Sequence, residues 1–177
     1  MSTTTIEEQL AEIRGRIDRL RARGHAAAPA ERARIGRHVS VLHQEEASVR
    51  DAVRHAPDEV EEKLGQLRTR LDVAEHSLAA DVSDDWATFT AAVEAELRSW
   101  DTYLERLQTS VAAKAWKARE RAEAAIGDVR SRRIEVDERL AQGHDAAADA
   151  PEDARARVTA ARDKLEQKAD ELSAKIS

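Results

Sequence analysis

The sequence predicts an all-α protein: an antiparallel helical bundle of about four helices, with one long helix running on into a two-helix coiled-coil hairpin. Three observations carry this. Charged residues fill 36% of the 177 positions and aromatics 3%, with only 3 Pro and 6 Gly, a composition of long helices rather than strands. Apolar residues recur at steps of three and four along most of the chain. The few helix breakers stand in short groups that divide it into segments.

The strongest segment is Trp86 to Val111. Trp86, Phe89, Val93, Leu97, Trp100, Leu104, Leu107 and Val111 fall on one helical stripe, and Tyr103 lies beside it. Aromatics bury the most surface per residue, so this run is the expected nucleus of the fold.

Helix 1 is expected over 5–23, where Ile6, Leu10, Ile13, Ile17 and Leu20 form a heptad seam. Thr5 is a candidate cap, and Arg19, Arg21, Arg23 and then Gly24 read as stop signals. Helix 2, about 30–54, follows Pro29 and turns Ile35, Val39, Leu42, Val49 and Val53 inward, with Glu46 in a seam slot. Folding it back sets Ile17 by Ile35 and Leu10 by Leu42. Helix 3, about 58–81, follows Pro57 and uses Val60, Leu64, Leu67, Leu71, Ala74 and Leu78. Ser83 is the expected cap of helix 4, about 84–112, and pairing across that turn sets Leu67 by Trp100 and Leu64 by Leu104.

Beyond Val111 the stripe continues through Ala115, Ala118, Ala122, Ala125, Val129, Val136 and Leu140, so helix 4 is expected to run on to about 141. Trp116 falls off this spacing, which suggests a phase shift near Lys114, and Gly127 marks a candidate kink. Helix 5, about 151–176, uses Ala154, Val158, Ala161, Leu165, Leu172 and Ile176, and pairs back with Leu165 by Ile126 and Ile176 by Trp116. The expected organisation is a four-helix head, 1–112, and an antiparallel hairpin stalk, 113–177. A two-stranded Ala-rich stalk buries little area, so it is expected to need a second chain or to fold against the head, and a homo-oligomer, a dimer before higher states, is expected. Arg23-Gly24-His25 and Gln142-Gly143-His144 each lead through Ala to Pro, a repeated connector in which Gly leaves one helix and Pro begins the next.

Composition narrows the function classes. The chain has no Cys, so it has no disulfide and no thiolate chemistry. The net charge is −6, and segment 58–85 alone holds nine acids against three bases, which argues against a nucleic-acid footprint. Residues 113–141 hold eight bases against six acids; the interleaved acids make this a solvated face rather than a nucleic-acid groove. No apolar run reaches a membrane span and no leader-like N-terminus is seen, so a cytoplasmic protein is expected. The Gly residues are isolated and no nucleophile motif is present, so neither enzyme chemistry nor a cofactor is expected.

Three further features bear on function. His38, His43 and His76 lie on helices, and a metal-binding bundle would need Glu-x-x-His pairs on facing helices, which the sequence lacks. Glu46 is read as a partly exposed acid paired with Arg70 across the hairpin. The rhythm of amphipathic helices punctuated by Ala-Pro resembles that of exchangeable apolipoproteins, which would imply a lipid-surface role; narrow seams and acidic charge favour helix-on-helix packing instead. The resulting expectation is a non-enzymatic structural, scaffolding or protein–protein interaction module. Its candidate contact residues are the acidic start of helix 3, Glu59, Glu61 and Glu62, and the aromatic Trp116.

Overall fold

The computed structural model describes residues 3–112 and 115–176. Among them the chain is all-helical. The helices are α1 (Thr3–Ala26), α2 (Pro29–His55), α3 (Val60–Asp81, preceded by a 3-10 turn over Pro57–Glu59), α4 (Trp86–Ala112), α5 (Trp116–Ala146) and α6 (Pro151–Ile176). None is long and apolar enough to cross a membrane.

Each start has a local cause. Pro29 occupies the first position of α2, and the Glu31 carboxylate accepts the Ala28 N–H at 3.2 Å, one half of a capping box. Asp85, not Ser83, caps α4: its Oδ1 accepts the Thr88 N–H at 2.8 Å. The Ser83 hydroxyl instead donates to the Ala80 carbonyl at 2.6 Å and closes the end of α3. Thr5 lies inside α1 rather than at its start.

The long helix expected over 84–141 is two helices. Ala115 is extended (φ −59, ψ 146), and its carbonyl accepts the Arg119 N–H at 2.9 Å to begin α5. The phase shift expected near Lys114 falls outside the described residues. α5 folds back along α4: Arg130 reaches Gln108 at 2.6 Å, Arg133 reaches Asp101 at 3.0 Å, and the Trp86 and His144 rings stand 5.9 Å apart. The hairpin of α5 and α6 therefore lies back along α4. Folding back sets Ile126, Val129, Val136 and Leu140 in one apolar cluster with the aromatic stripe of α4. An extended stalk would have left that stripe half covered.

The stripe itself is as the spacing predicts. Phe89, Val93, Leu97, Trp100, Leu104, Leu107 and Val111 are buried and share a cluster with α5, α6 and two residues of α3, Val73 and Ala80. A second cluster joins the seams of α1 and α2 to Val60, Leu64, Leu67, Leu71, Ala74 and Leu78 of α3. Leu64 and Leu67 thus face α1 and α2 rather than Trp100 and Leu104, and α3 is the one helix shared by both cores.

The hairpin registers differ from expectation by whole turns. Arg14 is paired with Glu46, and a Cβ on Gly24 would lie 2.7 Å from Ile35 Cγ2, which sets Ile17 level with Leu42 and Leu10 with Val49. That is one heptad from the expected Ile17–Ile35 pairing. A heptad slip keeps seam against seam, so periodicity does not separate the two. In the last hairpin Lys164 reaches Glu135 at 3.4 Å and Gly143 stands against Ala154, again about two turns from the expected Leu165–Ile126 level. The Ile176 side chain, expected beside Trp116, lies outside the described residues.

Gly24 and Gly143 do not end helices; α1 and α5 run on through them to Ala26 and Ala146. Their use is close approach. A Cβ on Gly143 would lie 2.6 Å from Trp86 Cη2 and 2.8 Å from Cζ2, whereas Gly127 has nothing within 4 Å and sits inside the continuous helix α5. Substitution should separate the two roles. Gly127→Ala is expected to stabilise by about 1 kcal/mol through helix propensity. Gly143→Ala is expected to destabilise, because overpacking against a rigid indole, typically about 1–3 kcal/mol, exceeds that gain. Thermal melts followed by circular dichroism check both signs.

Candidate functional site

Between the two apolar clusters lies a buried charged layer contributed by α2, α3, α4 and α6. Its centre is Arg162 of α6, whose side chain is fully buried. Its Nε donates to Glu96 Oε2 at 2.8 Å, Nη1 to Asp81 Oδ1 at 3.0 Å, and Nη2 to the Ser77 carbonyl at 3.1 Å and hydroxyl at 2.9 Å. Glu96 also accepts the Trp100 indole N–H at 3.4 Å. Arg34 of α2 joins through the same Asp81 and donates to Asp163 at 2.8 Å. His38 Nε2 stands 3.2 Å from Glu166 Oε1, which also accepts from the Ser77 hydroxyl. Long charged side chains thus tie α2 to α6.

These surroundings push the carboxyls in opposite directions. Burial raises Glu96 despite the Arg162 guanidinium beside it. Burial also opposes ionisation of Glu166, but His38, Arg162 and Arg34 together outweigh it and hold this carboxyl far down, at about 2. Beneath the layer, Arg155 of α6 donates to the Ala80 carbonyl at 3.0 Å and lies over the Phe89 ring, so α6 also closes the end of α3.

Towards the other end of the bundle, residues of α2, α3, α4 and α6 line a groove of about 560 Å³ with Gln66, Tyr103 and Leu107 as its floor. The Tyr103 hydroxyl donates to Glu45 Oε1 at 3.0 Å, and burial raises both the phenol and the Glu45 carboxyl. Arg70 lies under this floor, 4.4 Å above the Trp100 ring and 2.6 Å from Asp170. It does not pair with Glu46. That seam acid is buried and answered by Arg14, by Arg50 at 2.5 Å and by His43 at 3.7 Å. Burial opposes ionisation there too, yet Arg14 and Arg50 hold its carboxyl below the usual range.

The sequence candidates fall together at one end. Consecutive helices run antiparallel, so the α2–α3 turn, the start of α5 and the end of α6 share one end of the bundle. The turns at 27–28, 82–85 and 147–150 share the other. Glu59, Glu61 and Glu62 are exposed at the first of these ends, and Trp116, 75% exposed, stands there too. The helical histidines are not brought together: His38 faces Glu166, while His76 Nδ1 meets the Ser99 hydroxyl at 3.1 Å. Among the described residues no group of three or more His, Asp and Glu is arranged to hold a metal ion. Comparison with protein-family models, curated proteins and solved structures finds no match to this chain.

Three outcomes follow, two from the charged layer and one from Glu46. Arg162→Met strands Glu96 as a buried carboxylate and leaves Asp81 to Arg34 alone, and loss of one partner of such a network costs about 3–5 kcal/mol; urea unfolding measures it. Glu46→Leu leaves only Arg14 and Arg50, both about half exposed and free to turn to water, so its effect is expected to be neutral or stabilising. Acid should also unmake the layer. A depressed carboxyl stabilises the fold above its unfolded value of 4.5 and loses that contribution as pH falls towards about 2. Glu96 has the opposite sign, because its ionisation on raising pH opposes folding. Melting temperature should therefore fall below about pH 4.5, and Glu166→Gln should flatten that limb.

Proposed function

We propose that the chain is a non-enzymatic helical-bundle module acting through protein–protein contact. Its contact face is the bundle end that carries Trp116, Glu59, Glu61 and Glu62, and its partner there is a second copy of the chain. The observation that supports this reading is Trp116. It is the largest side chain type available, it stands 75% exposed at the start of a helix, and covering it removes much apolar surface from water. Charge supplies the complement. Lys117 and Arg121 are exposed on the same turns of α5, and the acidic start of α3 lies at the same end. A two-fold axis would set the acids of one copy against the bases of the other, as an isologous contact requires.

Light scattering across a concentration series tests it. The parent chain is expected at twice its monomer mass. Trp116→Ser is expected to weaken association at least tenfold, since central aromatic anchors cost about 2 kcal/mol or more on truncation, and to leave the helical content by circular dichroism unchanged because the side chain is not part of the core. Glu61→Lys with Glu62→Lys should weaken self-association, and mixing that variant with Lys117→Glu, Arg121→Glu should restore a mixed dimer. A parent chain that stays monomeric throughout would overturn the reading.

A further inference from the structure

A second groove, of about 600 Å³, runs between α3 and α4. Its charged lining is Arg68 of α3, Arg98 and Arg106 of α4, and the carboxylates Glu61 and Asp72 of α3. Asp72 is answered from outside the groove by Arg16 of α1 at 2.6 Å. Glu61 stands at the end nearest the α2–α3 turn. The three guanidiniums are left over. Among the described residues none of them makes an ion pair or a side-chain hydrogen bond, although Glu94 is four residues from Arg98 on the same helix. Arg98 and Arg106 are exposed and Arg68 is half-buried, so all three are within reach from solvent. The hydroxyls of the wall are already engaged. Thr69, Ser99 and Thr102 each donate to the carbonyl four residues back, at 2.9, 3.1 and 3.1 Å. With its one hydrogen on Ala95, Ser99 accepts from His76 Nδ1. The donors still open to a ligand are therefore those of the guanidiniums.

Two contacts set the register of the pair. A Cβ on Gly65 would lie 2.5 Å from Arg106 Nη1 and 3.3 Å from its Cζ, and His76 meets Ser99 at 3.1 Å. In an antiparallel pair these place Arg68 opposite the turn from Tyr103 to Leu107, so Arg68 and Arg106 stand on the two walls at nearly one level. Arg98 follows on the same face of α4, two turns from Arg106, roughly 12 Å at about 1.5 Å per residue. The Arg106 guanidinium occupies the space that a side chain at Gly65 would fill. Glycine there is what lets a cation of α4 lie over the backbone of α3. Two cations held across one groove with no counter-charge repel, and an anion between them reverses the sign.

We propose that this groove binds a linear oligophosphate, with one phosphoryl group between Arg68 and Arg106 and the chain extending towards Arg98. A guanidinium offers parallel N–H groups that match phosphate oxygens two at a time. A tetrahedral phosphoryl group has oxygens for cations on both walls at once, whereas a planar carboxylate suits a single fork. The third cation, two turns along, favours an extended anion over a point charge. No Phe, Tyr or Trp lines the groove, so a base has no platform to stack on, and the phosphate chain is what is recognised, free or carried by a nucleotide. Glu61 bounds the seat at one end and opposes the ligand. The proposal does not rest on the self-association argued above.

Isothermal titration of the full chain with tripolyphosphate, orthophosphate, citrate and magnesium-free adenosine triphosphate tests it. One site per chain is expected for tripolyphosphate, about tenfold or more tighter than for orthophosphate or citrate, with adenosine triphosphate close to tripolyphosphate. Arg68→Gln and Arg106→Gln should each weaken tripolyphosphate about tenfold, and Arg98→Gln should bring it down towards orthophosphate. Arg157→Gln removes the same charge from an exposed position of α6 outside the groove and should change nothing. Gly65→Ala keeps every charge but pushes the flexible Arg106 side chain aside; it should weaken binding with helical content unchanged. Glu61→Gln should tighten it. Binding should persist in Trp116→Ser, which separates this proposal from the one above. No heat with tripolyphosphate, citrate or orthophosphate binding as tightly, adenosine triphosphate binding more than about tenfold tighter, or equal losses from Arg157→Gln and Arg106→Gln would each overturn the assignment.

Discussion

The Arg162 guanidinium is the interaction on which the arrangement of helices rests. It is planar, permanently charged and presents several donors in fixed directions. Here those directions are taken up by a carboxylate on α4, a carboxylate on α3 and the Ser77 backbone of α3. A buried cation stays charged only where its surroundings answer it from every side, so its burial dictates which turns of α3, α4 and α6 stand at one level. Asp81 passes the constraint on to Arg34 and so to α2. Apolar seams bring helices together but tolerate sliding by a turn or a heptad; the charged layer does not. We take its role to be fixing register rather than adding net stability, in keeping with the desolvation that such groups carry.

This division of labour explains what was legible in the sequence. Composition and stepwise apolar spacing identified an all-helical chain, and the Pro residues and the turn at Ser83 placed the starts of α2, α3, α4 and α6 to within a few residues, although the cap of α4 is Asp85. The aromatic stripe of α4 was read residue by residue, and burial followed it from Phe89 to Val111, with Trp86 partly buried. What spacing does not encode is which seam meets which. The hairpin registers were off by about two turns because a heptad slip presents the same pattern. The break between α4 and α5 carries no Gly or Pro; it sits in an Ala-rich stretch whose local preference is helical, and tertiary packing overrides that preference.

The charged layer was invisible for a related reason. Arg155, Arg162, Glu166 and Asp170 lie on one side of α6, and a charged helical face ordinarily marks contact with water. Only the folding of α6 against three other helices turns that face inward. Glu46 shows the converse. Its seam position was noticed, but the partner was misassigned, since Arg70 serves the Trp100 ring and Asp170 while the flexible Arg14 and Arg50 reach in from the rim. The acidic and aromatic contact candidates were identified as residues. Their shared location at one end emerged only once α5 was seen to fold back.

The double membership of α3 has a consequence for how the molecule responds to stress. One of its faces completes the α1–α2 core and another completes the α4–α6 core, so neither half has a full apolar interior without it. Loosening on either side exposes the same helix, which couples the two halves into a single opening event rather than two successive ones. Hydrogen exchange along α3 would then report the global opening, while the flanking pairs α1–α2 and α5–α6 release their outer amides first. A contact made at the far end of either pair is in this way transmitted through a helix that touches neither partner.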